Sequence, residues 1–360
     1  LVNTALIVIR HAGGLLVMPA EDSLDRERLA DWLVERSLVD RPDALVVDPI
    51  SGGNQNIVAR LGGGDRRMIL RRPPRVVPDG RNAAMEREFR LLTALDGTDV
   101  PHASPLAICT DHDVLGATFY VMSEVDGWSP AASRSWPEPF GVHHGLSPRR
   151  QLAFELVRGL ANLASVDWQA RGLAGFGRPD GYHERQVDRW TAHWDRFRFR
   201  DIPGLGEAAE WLRDHVPPQW TPGIMHGDYS FLNVMFGHGP EPALAAIVDW
   251  EMATVGDPVL DLAWLMRQWP ARAEDVHSRY VDYTGMPLRD EMVEYYRGLT
   301  GNPLDHYRYY EVLANFKLAI VLEGGYARYL NGEVDNPKIA HYNDSILTAG
   351  RTAAKLVASA

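Results

Sequence analysis

Cysteine is almost absent from this 360-residue chain. Cys109 stands alone, so no internal disulfide can form and nothing points to an oxidising compartment. Long hydrophobic runs are missing as well: no stretch approaches the roughly 18 apolar residues that a membrane helix needs. The apolar opening, residues 5–9, is broken by Arg10, His11, Gly13 and Gly14 and reads as a short strand and turn, not a signal peptide. Positive charge is in the minority, with 37 Lys and Arg against 48 Asp and Glu and a net charge of −11. That argues against a nucleic-acid partner or an anionic membrane surface. A cationic substrate is compatible with the balance, although a solvated acidic surface is its ordinary meaning. These absences lead to the expectation of a cytoplasmic protein with no protein partner implied. Because the chain begins at Leu1, the native N-terminus is expected elsewhere. Also lacking are internal repeats, the Gly-Lys-Ser or Gly-Lys-Thr of a Walker loop, and a histidine cluster at metal-ligand spacing.

The patterning that is present changes character along the chain. Ser23 is a candidate cap for a helix carrying Leu29, Trp32 and Leu33 on one face. Residues 44–47, 57–61 and 68–71 read as strands of two successive hairpins, turned by Ser51-Gly52-Gly53-Asn54-Gln55-Asn56 and by Gly62-Gly63-Gly64-Asp65. A helix is expected over about 83–95 with Phe89, Leu92 and Leu95 inward, then strands near 106–109 and 118–122. Residues 128–147 are rich in Pro, Ser and Gly and read as loop. Beyond them the chain is mainly helical. Leu152, Leu156, Leu160 and Leu163 form one apolar stripe, Val187, Trp190 and Trp194 another, and both are core in character. The architecture this predicts is α+β, with a five-stranded N-terminal lobe and a helical C-terminal lobe, divided as 1–125 and 126–360.

The most informative stretch is Gly223-Ile224-Met225-His226-Gly227-Asp228-Tyr229-Ser230-Phe231-Leu232-Asn233-Val234. Residues 245–248 then read as a buried strand that delivers Asp249-Trp250-Glu251. Singly, Asp228 and Asn233 are ordinary turn residues and Asp249 an ordinary helix cap. Taken together, an Asp in a loop, an Asn five residues on and an Asp ending the next strand form a phosphoryl-transfer constellation. In that chemistry one carboxylate orients the attacking hydroxyl, while the amide and second carboxylate hold magnesium on the nucleotide phosphates. The turn at 51–56, with Gly52, Gly53 and Asn54, is placed to close backbone N–H groups over a triphosphate.

Residues 223–264 resemble the aminoglycoside phosphotransferase and choline kinase-like family, through the His226-Gly227-Asp228 loop with Asn233, the Ile-Val-Asp249 strand, and Gly256-Asp257-Pro258 followed by Asp261-Leu262-Ala263. Within that family the chain looks most like the kinase domains fused to acyl-CoA dehydrogenases. Ser230-Phe231-Leu232 departs from the usual residues on the substrate side of the loop. The resemblance implies a protein kinase-like two-lobe fold, ATP and Mg2+ as cofactors, Asp228 as the catalytic carboxylate, and Asn233 and Asp249 as metal ligands. Glu251 is a further candidate, either as a third ligand or as a residue behind the ligands. It also implies that Arg71 is the phosphate-steering cation of the third strand and Glu88 its partner on the next helix. The stretch 120–127 is similar to the family's hinge, where Met122 would line the adenine pocket and the backbone of Ser123 and Val125 would pair with the base.

The acceptor is not legible in the sequence. About eight residues separate Asp249 from the next helix, leaving no room for the long activation segment of a protein kinase, so a small hydroxylated molecule is expected. An aminoglycoside, an amino alcohol and a hydroxyacyl compound all remain open. Two other classes stand beside the kinase. A nucleotide-binding pseudokinase would not need Asp228, Asn233 and Asp249 together, and a metal-dependent hydrolase lacks a histidine cluster. His226 reads as a residue bracing the loop.

Overall fold

The protein is described from a computed structural model over residues 24–50, 56–63, 66–74, 76–130, 136–141, 147–276, 281–334 and 336–360. The N-terminal part is built on helix α1 (Arg26–Glu35), strands β1 (Val46–Ile50), β2 (Ile57–Gly63) and β3 (Arg66–Arg72), helix α2 (Arg81–Leu95), strand β4 (Pro105–Cys109), helix α3 (His112–Leu115) and strand β5 (Phe119–Ser123). The five strands form one antiparallel sheet in the order β1-β2-β3-β5-β4.

Side chains alternate across a sheet with period two, and here the alternation assigns the two faces to different tasks. Ala59, Leu61, Met68, Leu70, Phe119 and Val121 pack under α1 with Leu29, Trp32 and Leu33 in one core. Val58, Ile69, Arg71, Tyr120 and Met122 point the other way and line a cavity. The register holds Arg71 between Val58 and Tyr120.

Local chemistry moves several expected boundaries. The cap of α1 is Asp25, whose carboxylate accepts from the Arg28 N–H at 3.1 Å, not Ser23, which lies outside the described residues. Pro42–Ala44 forms a single 3-10 turn, so the first strand starts at Val46. Helix α2 begins at Arg81 because Gly80, at φ 78°, takes the left-handed position before it. Met85, Glu88, Leu91, Leu92 and Leu95 face inward, whereas Phe89 is only half-buried. The expected strand at residues 5–9 and the turn at 51–55, with Gly52, Gly53 and Asn54, lie outside the described residues.

The remaining chain is mainly helical: α4 (Ser147–Ala164), α5 (Gln186–Asp195), α6 (Leu205–Asp214), α7 (Val259–Met266), α8 (Arg289–Thr300), α9 (Tyr307–Leu330) and α10 (Tyr342–Ala358). Leu152, Leu156, Leu160 and Leu163 are fully buried, as the stripe on α4 requires. Each such leucine contributes about 1.5–3 kcal/mol of transfer free energy. Helix α9 is enclosed by α5, α6, α7 and α10.

Four short strands interrupt these helices. β6 (Gly223–Met225) pairs antiparallel with β9 (Thr254–Gly256), and β7 (Val234–Phe236) with β8 (Leu244–Ile247). These two ladders bring the loop after β6 against the residues after β8. Among the described residues, no helix is long and apolar enough to cross a membrane.

Candidate active site

The loop after β6 is fixed from several sides. Gly227 has φ +83°, and a Cβ there would lie 2.5 Å from the Met252 carbonyl oxygen, so only glycine fits. The carboxylate of Asp261, fully buried on α7, accepts from the N–H of His226 at 2.6 Å and of Gly227 at 3.0 Å. Burial pushes the Asp261 carboxyl up to about 6, against the opposing effects of Lys317 and of these two donors. Burial likewise drives His226 down to about 4, so its imidazole is neutral at physiological pH. The contacts assign the tautomer: Nε2–H donates to the Val248 carbonyl at 2.9 Å, and Nδ1 accepts from the Asp228 N–H at 3.3 Å. His226 thus ties the Asp228 loop to the chain leading into Asp249, which is the bracing expected of it.

Asp228 emerges from this loop with both oxygens engaged. Trp264 Nε1 donates to Oδ1 at 2.9 Å, and Asn233 Nδ2 donates to Oδ2 at 3.2 Å. Burial raises its pKa, opposed first by the charge of Lys317, then by these two hydrogen bonds and by Arg267. The Lys317 ammonium is buried on α9, donates to the Gly227 carbonyl at 2.7 Å, and lies 4.4 Å from the Trp264 ring centroid.

Asn233 sits at the head of β7, its own carbonyl accepting from the Val248 N–H at 3.0 Å. Its amide nitrogen donates to the Asp228 backbone oxygen at 2.9 Å as well as to the carboxylate. That orients the amide and leaves Oδ1 with no donor among the described residues.

Asp249 follows β8 in the left-handed region, φ 68° and ψ 62°, a conformation that costs a non-glycine residue about 1–2 kcal/mol. Arg71 Nη2 lies 3.6 Å from its Oδ1, and Arg71 Nε lies 3.1 Å from Glu88 Oε2, whose oxygen also accepts from the Tyr120 hydroxyl at 2.8 Å. The expected Arg71–Glu88 pair is therefore formed, and it reaches Asp249. Burial opposes the charge on Arg71, but Glu88, then Tyr120, Asp249 and Glu251, outweigh it and hold the guanidinium protonated. Burial raises the Glu88 carboxyl, with Arg71 opposing. Glu251 is engaged by Arg81 at 3.6 Å.

The cluster carries an acid surplus. Burial, followed by repulsion from Glu251, Glu88 and Asp228, overcomes the pull of Arg71 and pushes Asp249 up to about 7. A folded-state pKa above the unfolded value of about 3.9 means that Asp249 favours the folded state at low pH. That contribution is lost progressively as pH rises from about 4 to about 7. Asp249→Asn is accordingly expected to raise the Tm of the ligand-free protein by several degrees at pH 8 and by much less at pH 5. Thermal melts at the two pH values check this; an equal shift at both would place the strain elsewhere.

Met122, Ser123 and Val125 line the same cavity as Arg71, Glu88, Val248 and Asp249, where the resemblance put the adenine pocket. The Ser123 N–H already donates to the Ser104 carbonyl, and the Glu124 N–H to that of Arg67, both at 2.9–3.0 Å. Of the Ser123 backbone groups, the carbonyl is the one left for a ligand. Of the expected site residues within the described segments, Arg71, Glu88, Met122, Ser123, Val125 and Asp249 line one cavity, and Asp228 and Asn233, bonded to each other, are tied to its wall through the Val248 N–H on the Asn233 carbonyl. Sequence reasoning missed Asp261, Trp264, Arg267 and Lys317 as parts of this site. A signal for Lys317 existed: it is one of three lysines in the chain, set in the apolar run 316–321.

A family profile described as the phosphotransferase enzyme family matches residues 46–295, well over half of the chain. The chain belongs to that family. Acyl-CoA dehydrogenase family member 11 of Gallus gallus is 32% identical over 302 residues, covering 80% of this chain and 37% of the relative. The phosphotransferase thus spans under two fifths of that relative's length. A Ralstonia eutropha structure, provisionally named an aminoglycoside phosphotransferase, superposes with a TM-score of 0.79 at 27% identity, covering 94% of this chain and 99% of that one. An aminoglycoside phosphotransferase in ternary complex with AMP-PNP and hygromycin B has the same fold, with a TM-score of 0.57 at 14% identity, covering 92% and 98%. The sheet of five antiparallel strands with a helical remainder is the protein kinase-like arrangement of these structures.

Proposed function

We propose that this phosphotransferase uses ATP and magnesium to phosphorylate a hydroxyl group of a small molecule. The observation that carries the reading is that the Asp228–Asn233 pair, tied through the Val248 N–H to the chain leading into Asp249, stands next to the contacts that join Asp249, Arg71 and Glu88. In the reaction the acceptor oxygen bonds to the γ-phosphorus, the bond to the ADP leaving group breaks, and the hydroxyl proton passes to Asp228. Trp264 and Asn233 hold that carboxylate in one orientation, so its lone pairs are presented without rearrangement. Arg71 reaches past Glu88 toward Asp249 and is placed to steer phosphate oxygens.

The donor set suits magnesium. Asp249 offers a carboxylate in an acid surplus, and Asn233 offers an amide oxygen that no donor among the described residues engages; both are hard oxygen ligands. Bound there with the nucleotide, the ion supplies charge neutralisation on the phosphates. Adenine is proposed to lie along Met122, the Ser123 carbonyl and Val125, which line the cavity, and Gly52, Gly53 and Asn54 to close over the triphosphate. In this reading residues 1–125 are the nucleotide lobe and 126–360 the catalytic and acceptor lobe, in a cytoplasmic enzyme.

A small acceptor is favoured by the short path from Asp249 to α7, which starts at Val259 and contains only a 3-10 turn and β9. The direct test is a screen for ADP release with ATP and magnesium across hydroxylated metabolites, with aminoglycosides as one arm. Acceptor-dependent ADP release supports the reading; a chain that neither binds ATP nor releases ADP sinks it. Arg71→Ala is expected to raise the KM for ATP and lower kcat together, and Arg71→Lys to retain activity only if charge without the bidentate fork suffices. If Arg71→Ala and Glu88→Ala both turned over ATP like the parent, the nucleotide pocket would have to lie elsewhere.

A further inference from the structure

Helix α2 carries Glu88, yet its packing belongs to the catalytic half of the molecule. Met85, Leu91 and Leu92 share one buried cluster with Leu156 of α4 and with Trp250 and Ala253, whereas α1 and the sheet face beneath it close a separate core. Arginines of the same helix reach across to that half. Arg81 Nη1 lies 3.6 Å from Glu251 Oε2, and Arg90 Nη2 donates to the carbonyls of Gly172 and Ala174 at 2.5 and 2.8 Å. Between them, Arg87 Nη2 donates to the Ala253 carbonyl at 2.9 Å, its guanidinium carbon 3.7 Å from the ring centroid of buried Phe176. The turn after α2 is held likewise: Arg171 donates to the Asp96 carbonyl, Asn162 to that of Asp99, and the Ile247 N–H to that of Pro101.

The place where the Arg87 bond lands gives it a consequence. Ala253 follows the 3-10 turn Trp250–Met252 that begins directly after Asp249, and the Met252 carbonyl is the group that leaves no room for a Cβ at Gly227. Successive residues on a helix point about 100° apart, so one turn of α2 offers Glu88 to Arg71 and Arg87 to the segment behind Asp249. Glu88 and Asp249 repel each other, and in the ligand-free protein Arg71 stands between them. Once phosphate oxygens engage Arg71, part of that counter-charge is withdrawn, and another contact must keep α2 from backing away from Asp249. Burial disfavours the Arg87 charge, Arg90 adds to the effect, and the group is met by a neutral carbonyl and a ring face. An aliphatic side chain would cover Phe176 without that penalty; what the guanidinium adds is a directional bond.

We propose that Arg87 is a positioning residue of phosphoryl transfer: its bond to the Ala253 carbonyl holds α2 against the chain after Asp249, so that Glu88 and Asp249 form a fixed seat of two acids for Arg71 before the nucleotide arrives. The proposal rests on the phosphotransferase reading and adds to it a residue that acts through Glu88 and not on either substrate. In consequence α2 stands in its working place in the ligand-free protein, and nucleotide binding does not have to draw the helix in.

The test uses the whole chain. Magnesium-dependent ATP affinity is measured by calorimetry, which needs no acceptor, and kcat and both KM values are measured with any acceptor found by ADP release. Arg87→Met keeps a long side chain over Phe176 and removes the bond. It is expected to weaken ATP affinity about 10-fold and to lower kcat, while the KM for the acceptor stays at the parent value. Arg87→Lys restores a donor and should recover part of the loss. Hydrogen exchange of the parent gives a second readout that no variant can spoil: Mg·ATP should slow the amides of β2 and β3 more than those of residues 81–95. Parental ATP affinity in Arg87→Met overturns the proposal. So does a loss that Arg87→Lys leaves unrecovered, a KM for the acceptor raised as much as that for ATP, or an α2 slowed by Mg·ATP as much as the strands. A parent protein that does not bind ATP at all defeats instead the kinase reading beneath it.

Discussion

Asp228→Asn is expected to lower kcat by about 100- to 10,000-fold, the range that a positioned general base contributes, while ATP affinity stays close to that of the parent. Asparagine matches the volume of aspartate and can still accept from the Trp264 indole, so the loop should keep its shape. What disappears is the charge. Asn233 would lose one of its two acceptors yet retain the Asp228 backbone oxygen, and Lys317 would retain the Gly227 carbonyl and the neighbouring Asp261. Because the Asp228 carboxylate is proposed to act on the acceptor hydroxyl and not on the nucleotide, its removal should fall on turnover and not on nucleotide binding. Steady-state kinetics with any acceptor identified by ADP release decide this; a variant that works at the parent rate would falsify the assignment of Asp228.

Asp249→Ala should have the other large effect: transfer is abolished, and magnesium-dependent ATP affinity drops with it. Magnesium is usually held by one or two protein groups, phosphates and water completing the octahedron, so the loss of one of two proposed ligands is severe. The left-handed backbone of Asp249 and its acid surplus both cost stability in the ligand-free protein, and a bound divalent cation relieves the second. Alanine keeps that left-handed backbone and tolerates it less well than Asp or Asn, so the gain in thermostability above pH 7 is expected of Asp249→Asn, while Asp249→Ala is expected to be inactive. An Asp249→Ala protein with parent-like turnover would remove Asp249 from the site.

The fold was readable wherever a period was strong. Strands alternating between the α1 core and the cleft, and the leucine stripe on α4, stand where the sequence put them. Boundaries set by one residue's hydrogen bond, such as the Asp25 cap, were not readable, because Ser23 and Asp25 carry equally suitable side chains. The site was half legible. Asp228, Asn233 and Asp249 lie within 22 residues of one another and form a spacing pattern. Lys317 comes near Asp228 only because α9 packs against α7, and Arg267 only because α7 carries Trp264 against the loop after β6, tertiary contacts with no local signature. Asp261 could be placed on the helix after the metal strand, yet its grip on two loop N–H groups depends on how α7 docks beneath β6.

The central claim is that Asp249 and Asn233 serve the nucleotide while Asp228 serves the acceptor. Calorimetric titration of ATP into the parent, Asp228→Asn and Asp249→Ala proteins, each with and without magnesium, tests it without knowledge of the acceptor. The account predicts magnesium-dependent binding of similar strength in the parent and Asp228→Asn, and its loss in Asp249→Ala. Equal magnesium-dependent affinity in all three proteins would contradict it.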